Sequence, residues 1–121
     1  MKTIYSKNAP EPIGPYSQAK TVGDLLFISG QIGIDPATGK LAGDTVEAQT
    51  KQVMANIEAI LHAAGKDFSH VVKTTCLLQD INDFADFNEI YAASMISKPA
   101  RSTFQAVLPA DARVEVEVIA E

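Results

Sequence analysis

The sequence predicts one α+β domain, in which a mixed sheet of about six strands carries two helices on one face. Three observations support this prediction. Several short segments alternate apolar and polar residues, which is typical of strands. Two longer segments repeat apolar residues at helical spacing. The segments follow in the order β-β-β-α-β-α-β-β, without repeats or low-complexity linkers, and this order favours two helices packed on a single sheet.

The composition limits the class of protein. A chain of 121 residues has the length of one domain, covering 1–121, and can form a core without disulfides. A net charge of −5 argues against broad binding to nucleic acid backbones. The single cysteine, Cys76, is expected in the core. Neither a signal peptide nor a membrane-length apolar run is visible, so we expect a cytoplasmic protein that binds neither membrane nor nucleic acid.

The N-terminal third predicts three strands. Residues 3–5 are expected as a short edge strand, and residues 8–16, with three prolines, as an ordered loop. Residues 16–22 and 25–32 are expected as a β-hairpin. Tyr16 lies where the loop meets the hairpin. Its side chain either presents the hydroxyl to a ligand or packs on the prolines of the loop.

Ser29, Gly30 and Gln31 interrupt the apolar strand 25–32. A glycine inside a strand often marks a bulge or a close approach of backbone. Ser29 and Gln31 are polar where burial is expected, and buried polar groups need hydrogen-bond partners. The partner is either a ligand or a neighbouring loop.

The clearest helix follows Gly43, since Asp44 and Glu47 fit the start of a capping box. Gly65 is expected to end the helix, and Gln49 is expected to lie off its core face. The apolar face consists of Val46, Val53, Ile57, Ile60, Leu61 and Ala64.

Residues 71–78 are rich in β-branched side chains and predict the next strand. A second helix is expected after Asp80 and before Pro99. Asn88 lies beside its core face and is either an edge residue or a group that reaches a site. The core face consists of Phe84, Phe87, Ile90, Tyr91 and Met95. His62, His70 and Cys76 show no zinc-binding spacing, so we expect no metal.

The last two strands carry the candidate site. If Phe104 shares a face with Val114, Val116 and Val118, the opposite face carries both Arg101 and Glu115. A guanidinium close to a carboxylate can hold a small anion and activate a water. The alternative is an ordinary cross-strand surface pair.

The uncovered face of the sheet predicts an oligomer. Two helices cover only one face, yet Leu25, Phe27 and Val107 are expected on the other. Exposed apolar faces are usually hidden in closed homo-oligomers. A site near Arg101 and Glu115 would then lie at a subunit boundary.

The chain resembles the Rid family, also called YjgF, over nearly its whole length. The combination of a Ser-Gly-Gln motif with a later Pro-Ala-Arg-Ser block is specific. The motifs that carry the resemblance include Asn8-Ala9-Pro10, Ile13-Gly14-Pro15-Tyr16, Ser29-Gly30-Gln31, Asn82-Asp83-Phe84-Ala85, Pro99-Ala100-Arg101-Ser102, Leu108-Pro109 and Val114-Glu115-Val116-Glu117.

The resemblance implies a chorismate-mutase-like fold and a homotrimer with sites between subunits. It also implies hydrolytic deamination of reactive 2-imino or enamino acids, such as 2-aminoacrylate, to 2-keto acids and ammonia, without metal or cofactor. The family's carboxylate-binding arginine falls on Arg101 and its acidic residue near the attacking water on Glu115. The family's pocket tyrosine, serine and asparagine fall on Tyr16, Ser29 and Asn88.

Two further positions complete the expected site. We expect Gly30, beside Ser29, among the substrate-binding residues, and backbone groups around Thr103 to orient the substrate nitrogen. Thr103 stands where reference members have cysteine, and residues 92–97 appear shorter than in those members. The alternative function is a non-catalytic regulatory protein that binds 2-keto acids in the same pocket. RNA cleavage, a third suggestion for such proteins, fits poorly with the acidic balance and the absence of paired histidines.

Overall fold

The computed structural model describes residues 1–121 and has the predicted α+β architecture, with a six-stranded mixed sheet and two helices. The helices pack on one face of the sheet, where a single apolar cluster joins both of them to the central strands. The elements are β1 (Lys2–Ile4), β2 (Ala19–Val22), β3 (Leu25–Ile32), β4 (Ile34–Asp35), β5 (Lys40–Leu41), α1 (Val46–Ala63), β6 (Val71–Leu78), α2 (Phe84–Ser94), β7 (Ala100–Gln105) and β8 (Val114–Ala120).

The strand order in the sheet is β1-β2-β3-β8-β6-β7. All neighbouring strands are antiparallel except β6 and β7, which are parallel. Parallel neighbours need a crossover connection, and α2 supplies it. This connection places β7 at the edge of the sheet, with α2 lying against its start.

Two local predictions are corrected in the first half of the chain. Residues 16–18 are loop rather than strand, because the buried Gln18 side chain bonds to backbone groups of Ser6 and Pro10 instead of extending the hairpin. The turn cluster at residues 35–40 also contains a small separate ribbon, in which β4 pairs with β5.

Helix α1 begins one residue later than the capping-box pattern indicated. Thr45, not Asp44, is the N-cap, and its hydroxyl accepts a hydrogen bond from the Ala48 amide. Gly65 ends the helix as predicted, with a positive φ that a β-carbon would disfavour. Gln49 was expected off the core face but is buried, because its side-chain amide bridges the carbonyl of Gly43 and the amide of Arg113.

The face of the sheet away from the helices is largely uncovered. Leu25 and Phe27 lie on it and remain well exposed, as predicted. Val107 does not, because β7 ends at Gln105 and Val107 lies fully exposed in the following loop. Neither helix is both long and apolar enough to span a membrane.

Candidate functional site

A β-bulge in β3 creates the position of Glu115. In the pairing of β3 with β8, Ile28 lies opposite Val118 and Gln31 lies opposite Val116. Two residues of β3, Ser29 and Gly30, therefore lie opposite the one residue of β8 between these valines. The Glu115 side chain lies over Gly30. A β-carbon on Gly30 would come within 2.8 Å of the Glu115 Cδ atom and closer still to a carboxylate oxygen. The bulge that the sequence allowed at Gly30 is therefore confirmed, and the group that approaches the glycine is the Glu115 side chain rather than another stretch of backbone.

The environment of Glu115 favours the protonated carboxyl. Burial raises the pKa of Glu115, and the nearby Glu117 carboxylate raises it further. A raised pKa makes the ionised carboxylate a stronger proton acceptor than an exposed glutamate.

Tyr16 and Ser29 lie at the same side of the sheet, along an open groove of about 410 Å³. The groove also contains Lys73, Thr75 and Glu117. The ring of Tyr16 packs over Gly14 and is about half exposed, and its hydroxyl makes no hydrogen bond within the chain. The ring thus lies against Gly14 of the loop, and the role of the hydroxyl toward a ligand stays a prediction.

The polar partners in this strand come from the chain itself. The Ser29 hydroxyl donates to the carbonyl of Ser17 at 2.6 Å, and the Gln31 amide donates to the carbonyl of Ser29 at 3.2 Å. The neighbouring-loop interpretation of Ser29 is thus observed. Its oxygen retains the capacity to accept a hydrogen bond from a ligand.

Arg101 lies near the start of edge strand β7, and helix α2 holds its guanidinium. Its Nη1 atom donates to Asn88 Oδ1 at 2.6 Å. Its Cζ atom lies 4.9 Å from the ring centroid of Tyr91 and 5.3 Å from that of Phe84. No carboxylate of the chain pairs with it. The guanidinium is therefore positioned by neutral groups and keeps donors free for an anion.

The three groups that hold Arg101 come from one face of α2. Phe84, Asn88 and Tyr91 stand at i, i+4 and i+7, and such positions lie above one another on a helix. Asn88 was predicted as an edge residue or a site residue, and the structure brings it to Arg101. Phe84 and Tyr91 were assigned only to the core face. Their spacing relative to Asn88 was the signal that could have identified them.

Thr103 lies two residues beyond Arg101 on the same face of β7. It pairs with Cys76 across the parallel ladder, and its hydroxyl oxygen is buried without a hydrogen-bond partner. Burial raises the pKa of the Cys76 thiol, as expected of a core cysteine.

The strand register corrects the predicted pairing of Arg101 with Glu115. Cys76 pairs with both Val116 and Thr103, so those three residues share the face beneath the helices. Arg101, two residues from Thr103, lies on that same face. Glu115 alternates with the valines and lies on the uncovered face. The error came from placing Phe104 with the valines, whereas Phe104 is half exposed on the Glu115 side.

The two groups are also far apart along the sheet. Arg101 is level with Thr74 and Val118, whereas Glu115 is level with Leu77. The two positions differ by three residues along the strand direction, which is about 10 Å, and by two strand spacings across the sheet, which is also about 10 Å. The two backbones are therefore roughly 14 Å apart. The structure thus brings Arg101 together with Asn88 and Thr103 on one face, and Glu115 together with Gly30 on the other. Tyr16 and Ser29 line the nearby groove, whose acidic residue is Glu117.

Comparisons with known proteins place this arrangement in context. A family model described as endoribonuclease L-PSP matches residues 6–121. A mouse protein named 2-iminobutanoate/2-iminopropanoate deaminase is 50% identical over 121 residues, which cover 98% of this chain and 90% of the mouse protein. A Lactococcus lactis protein named putative regulator AldR is 50% identical over 123 residues, covering 100% and 98% of the two chains. The crystal structure of a putative endoribonuclease L-PSP from Entamoeba histolytica superimposes with a TM-score of 0.96 at 51% identity, covering 98% and 97%.

Proposed function

The chain belongs to the endoribonuclease L-PSP family, also called YjgF or Rid, and from this premise we propose that it hydrolyses reactive 2-imino and enamino acids to 2-keto acids and ammonia. The observation that carries the proposal is the guanidinium of Arg101, which is fixed by Asn88 and two aromatic rings but has no carboxylate partner. The names of relatives at about 50% identity, such as the mouse deaminase, support the same activity.

Arg101 binds the substrate carboxylate in this proposal. A guanidinium presents parallel N–H donors that match the two oxygens of a carboxylate. Asn88 accepts a hydrogen bond from one of these donors and leaves the others free for the substrate. The carboxylate is common to the imine, the enamine and the keto-acid product, so Arg101 holds all three in one orientation.

Glu115 activates the water. The water oxygen forms a bond to C2 of the imine while the C=N π electrons move to nitrogen, and Glu115 accepts the proton that the water loses. Glu115 then returns this proton to the nitrogen, which gives a carbinolamine. Glu115 next accepts the proton of the new C2 hydroxyl and passes it to the amine, so that the C–N bond breaks, the C2 carbonyl forms and ammonia leaves. Water is the only co-reactant, and no electrons are gained or lost. The elevated pKa of Glu115 suits a group that must hold a proton between the two steps.

A second copy of the chain completes the site. An imino acid of three or four carbons spans only about 5 Å, judged from covalent bond lengths, and cannot contact both groups of one chain across the sheet. The uncovered sheet face, with Phe27 and Phe104 well exposed, offers the surface on which the β7 edge of another copy can pack. Tyr16 and the backbone around Thr103 then face the substrate nitrogen from opposite subunits. A homotrimer of this kind is the assembly that the family resemblance implies.

The direct test is release of ammonia and keto acid from 2-aminoacrylate, generated in place by a serine dehydratase. Wild-type protein is expected to accelerate release, and Arg101→Ala to abolish the acceleration while remaining folded. Arg101→Lys is expected to lose most of the activity, because an ammonium cannot form the forked contact. Turnover by Arg101→Ala close to wild type would refute the assignment.

The alternative is a regulatory protein that binds 2-keto acids without chemistry, a possibility raised by the relative named putative regulator AldR. The two functions differ in their need for Glu115. Glu115→Gln is expected to retain keto-acid binding and lose turnover if the protein is an enzyme. If the wild type shows no turnover, while keto acids raise the melting temperature of both wild type and Glu115→Gln, the regulatory function is supported instead.

A further inference from the structure

We infer that Tyr91 is a positioning residue for substrate binding, because its ring fixes the orientation of the Arg101 guanidinium. This inference rests on the proposed function, in which Arg101 binds the substrate carboxylate. It adds a residue that neither touches the substrate nor belongs to the sequence motifs discussed above.

The contact between Tyr91 and Arg101 has the geometry of a cation–π interaction. The guanidinium carbon lies 4.9 Å from the ring centroid, within the range of about 6 Å in which such attraction operates. Tyr91 is almost completely buried, whereas Arg101 is exposed. A mobile charged side chain is therefore held against a fixed surface.

The ring of Tyr91 is itself fixed on two sides. Its hydroxyl forms a 2.6 Å hydrogen bond with Thr74, on the strand next to β7. The Phe87 ring packs against it at a centroid distance of 5.4 Å. Thr74 is the residue paired with Arg101 in the parallel ladder. The hydrogen bond thus fixes the Tyr91 ring to the residue that lies directly beside Arg101 in the sheet.

Asn88 alone does not determine the orientation of the guanidinium. One hydrogen bond to Nη1 fixes a point but leaves rotation about that contact. A ring lying beneath the guanidinium restricts this rotation, so the free donors keep a constant direction. Preorganisation of this kind increases affinity by reducing the ordering that binding requires.

The test compares Tyr91→Leu, which removes the ring, with Tyr91→Phe, which keeps it. Tyr91→Leu is expected to raise KM by roughly five- to twentyfold with kcat nearly unchanged, as for loss of uniform substrate binding. The dissociation constant for 2-ketobutyrate, measured by calorimetry, should rise by the same factor. Tyr91→Phe should restore KM to within about threefold of wild type, because the ring remains.

Phe68→Leu is the matched control, since Phe68 is a partly buried ring on the same core that does not stack on Arg101. It should lower the melting temperature and leave KM unchanged. If Tyr91→Leu fails to fold, Tyr91→Met replaces it as the variant without a ring. A folded variant that lacks the Tyr91 ring and keeps wild-type KM would overturn the inference. So would a Tyr91→Phe variant impaired as much as Tyr91→Leu.

Arg101→Ala separates failure of this inference from failure of the proposed function. If Arg101→Ala loses turnover and ketobutyrate binding but Tyr91→Leu loses neither, only the role of Tyr91 is wrong. If Arg101→Ala itself retains both, the proposed function is wrong and the role of Tyr91 falls with it.

Discussion

Gly30→Ala is the substitution whose effect can be worked out most fully from the structure. A β-carbon at this position would lie 2.8 Å from Glu115 Cδ and 3.1 Å from Cγ, and closer to one carboxylate oxygen. Ordinary van der Waals contact begins at 3.4 Å. The carboxylate carbon must therefore recede by at least about 0.6 Å, and the carboxylate oxygen by more.

The cost should appear in turnover rather than in stability. Gly30 has no positive φ, and the obstructing atoms belong to a flexible side chain, so the backbone can accept alanine. Displacing a catalytic group by about 1 Å can lower a rate by roughly 100-fold, which corresponds to about 2.7 kcal/mol. We expect kcat/KM for imine hydrolysis to fall by this factor and the melting temperature to change little.

Gly14→Ala is the control for this change. Gly14 also lacks a positive φ, and its added β-carbon would meet only the Tyr16 ring at an ordinary 3.5 Å. Deaminase activity should therefore stay close to wild type. A folded Gly30→Ala protein with wild-type kcat/KM would refute the claim that the Gly30 gap determines where the Glu115 carboxylate acts.

Two further predictions concern pH dependence and stability. Glu117→Gln removes the like charge that helps to raise the pKa of Glu115. Because Glu115 must be ionised to accept a proton, the acidic limb of the kcat/KM profile should move to lower pH. The maximal value of kcat/KM should stay unchanged. Glu58→Gln, on the exposed side of α1, is the control and should leave the acidic limb at its wild-type pH. An acidic limb that does not move in Glu117→Gln would contradict an effect of Glu117 on the pKa of Glu115. Thr45→Ala removes the N-cap hydroxyl of α1 and should lower the free energy of unfolding by about 1 kcal/mol, whereas Asp44→Ala, at the position favoured by the sequence pattern, should lower it less in chemical denaturation.

The elements of the fold were predictable because their signals are local. Strand 25–32 has the predicted limits, since a strongly apolar segment that follows a turn determines it. The bulge at Gly30 was also visible as a glycine inside that segment. The cap at Thr45 was not, because Asp44, Thr45 and Glu47 offer overlapping capping patterns, and only the helix geometry selects among them.

The arrangement of the site was less predictable because it depends on pairing between distant segments. Alternation within β7 and within β8 was read correctly, but the relative phase of the two strands is set by β6, which lies between them. A shift of one residue moves every side chain to the other face. Because the relative phase was wrong, the sequence predicted Arg101 and Glu115 on one face of the same chain. The observed register places them on opposite faces.

A mixing experiment tests most directly the central claim that Arg101 and Glu115 act together from different copies of the chain. Arg101→Ala and Glu115→Gln proteins, each inactive, are co-refolded in equal amounts, and imine hydrolysis is measured on the mixed oligomers. With random assembly, one quarter of the sites receive an intact Arg101 from one subunit and an intact Glu115 from its neighbour. The account therefore predicts recovery of about one quarter of wild-type activity. If both residues acted from the same chain, no intact site would form, so mixed oligomers without activity would contradict the account.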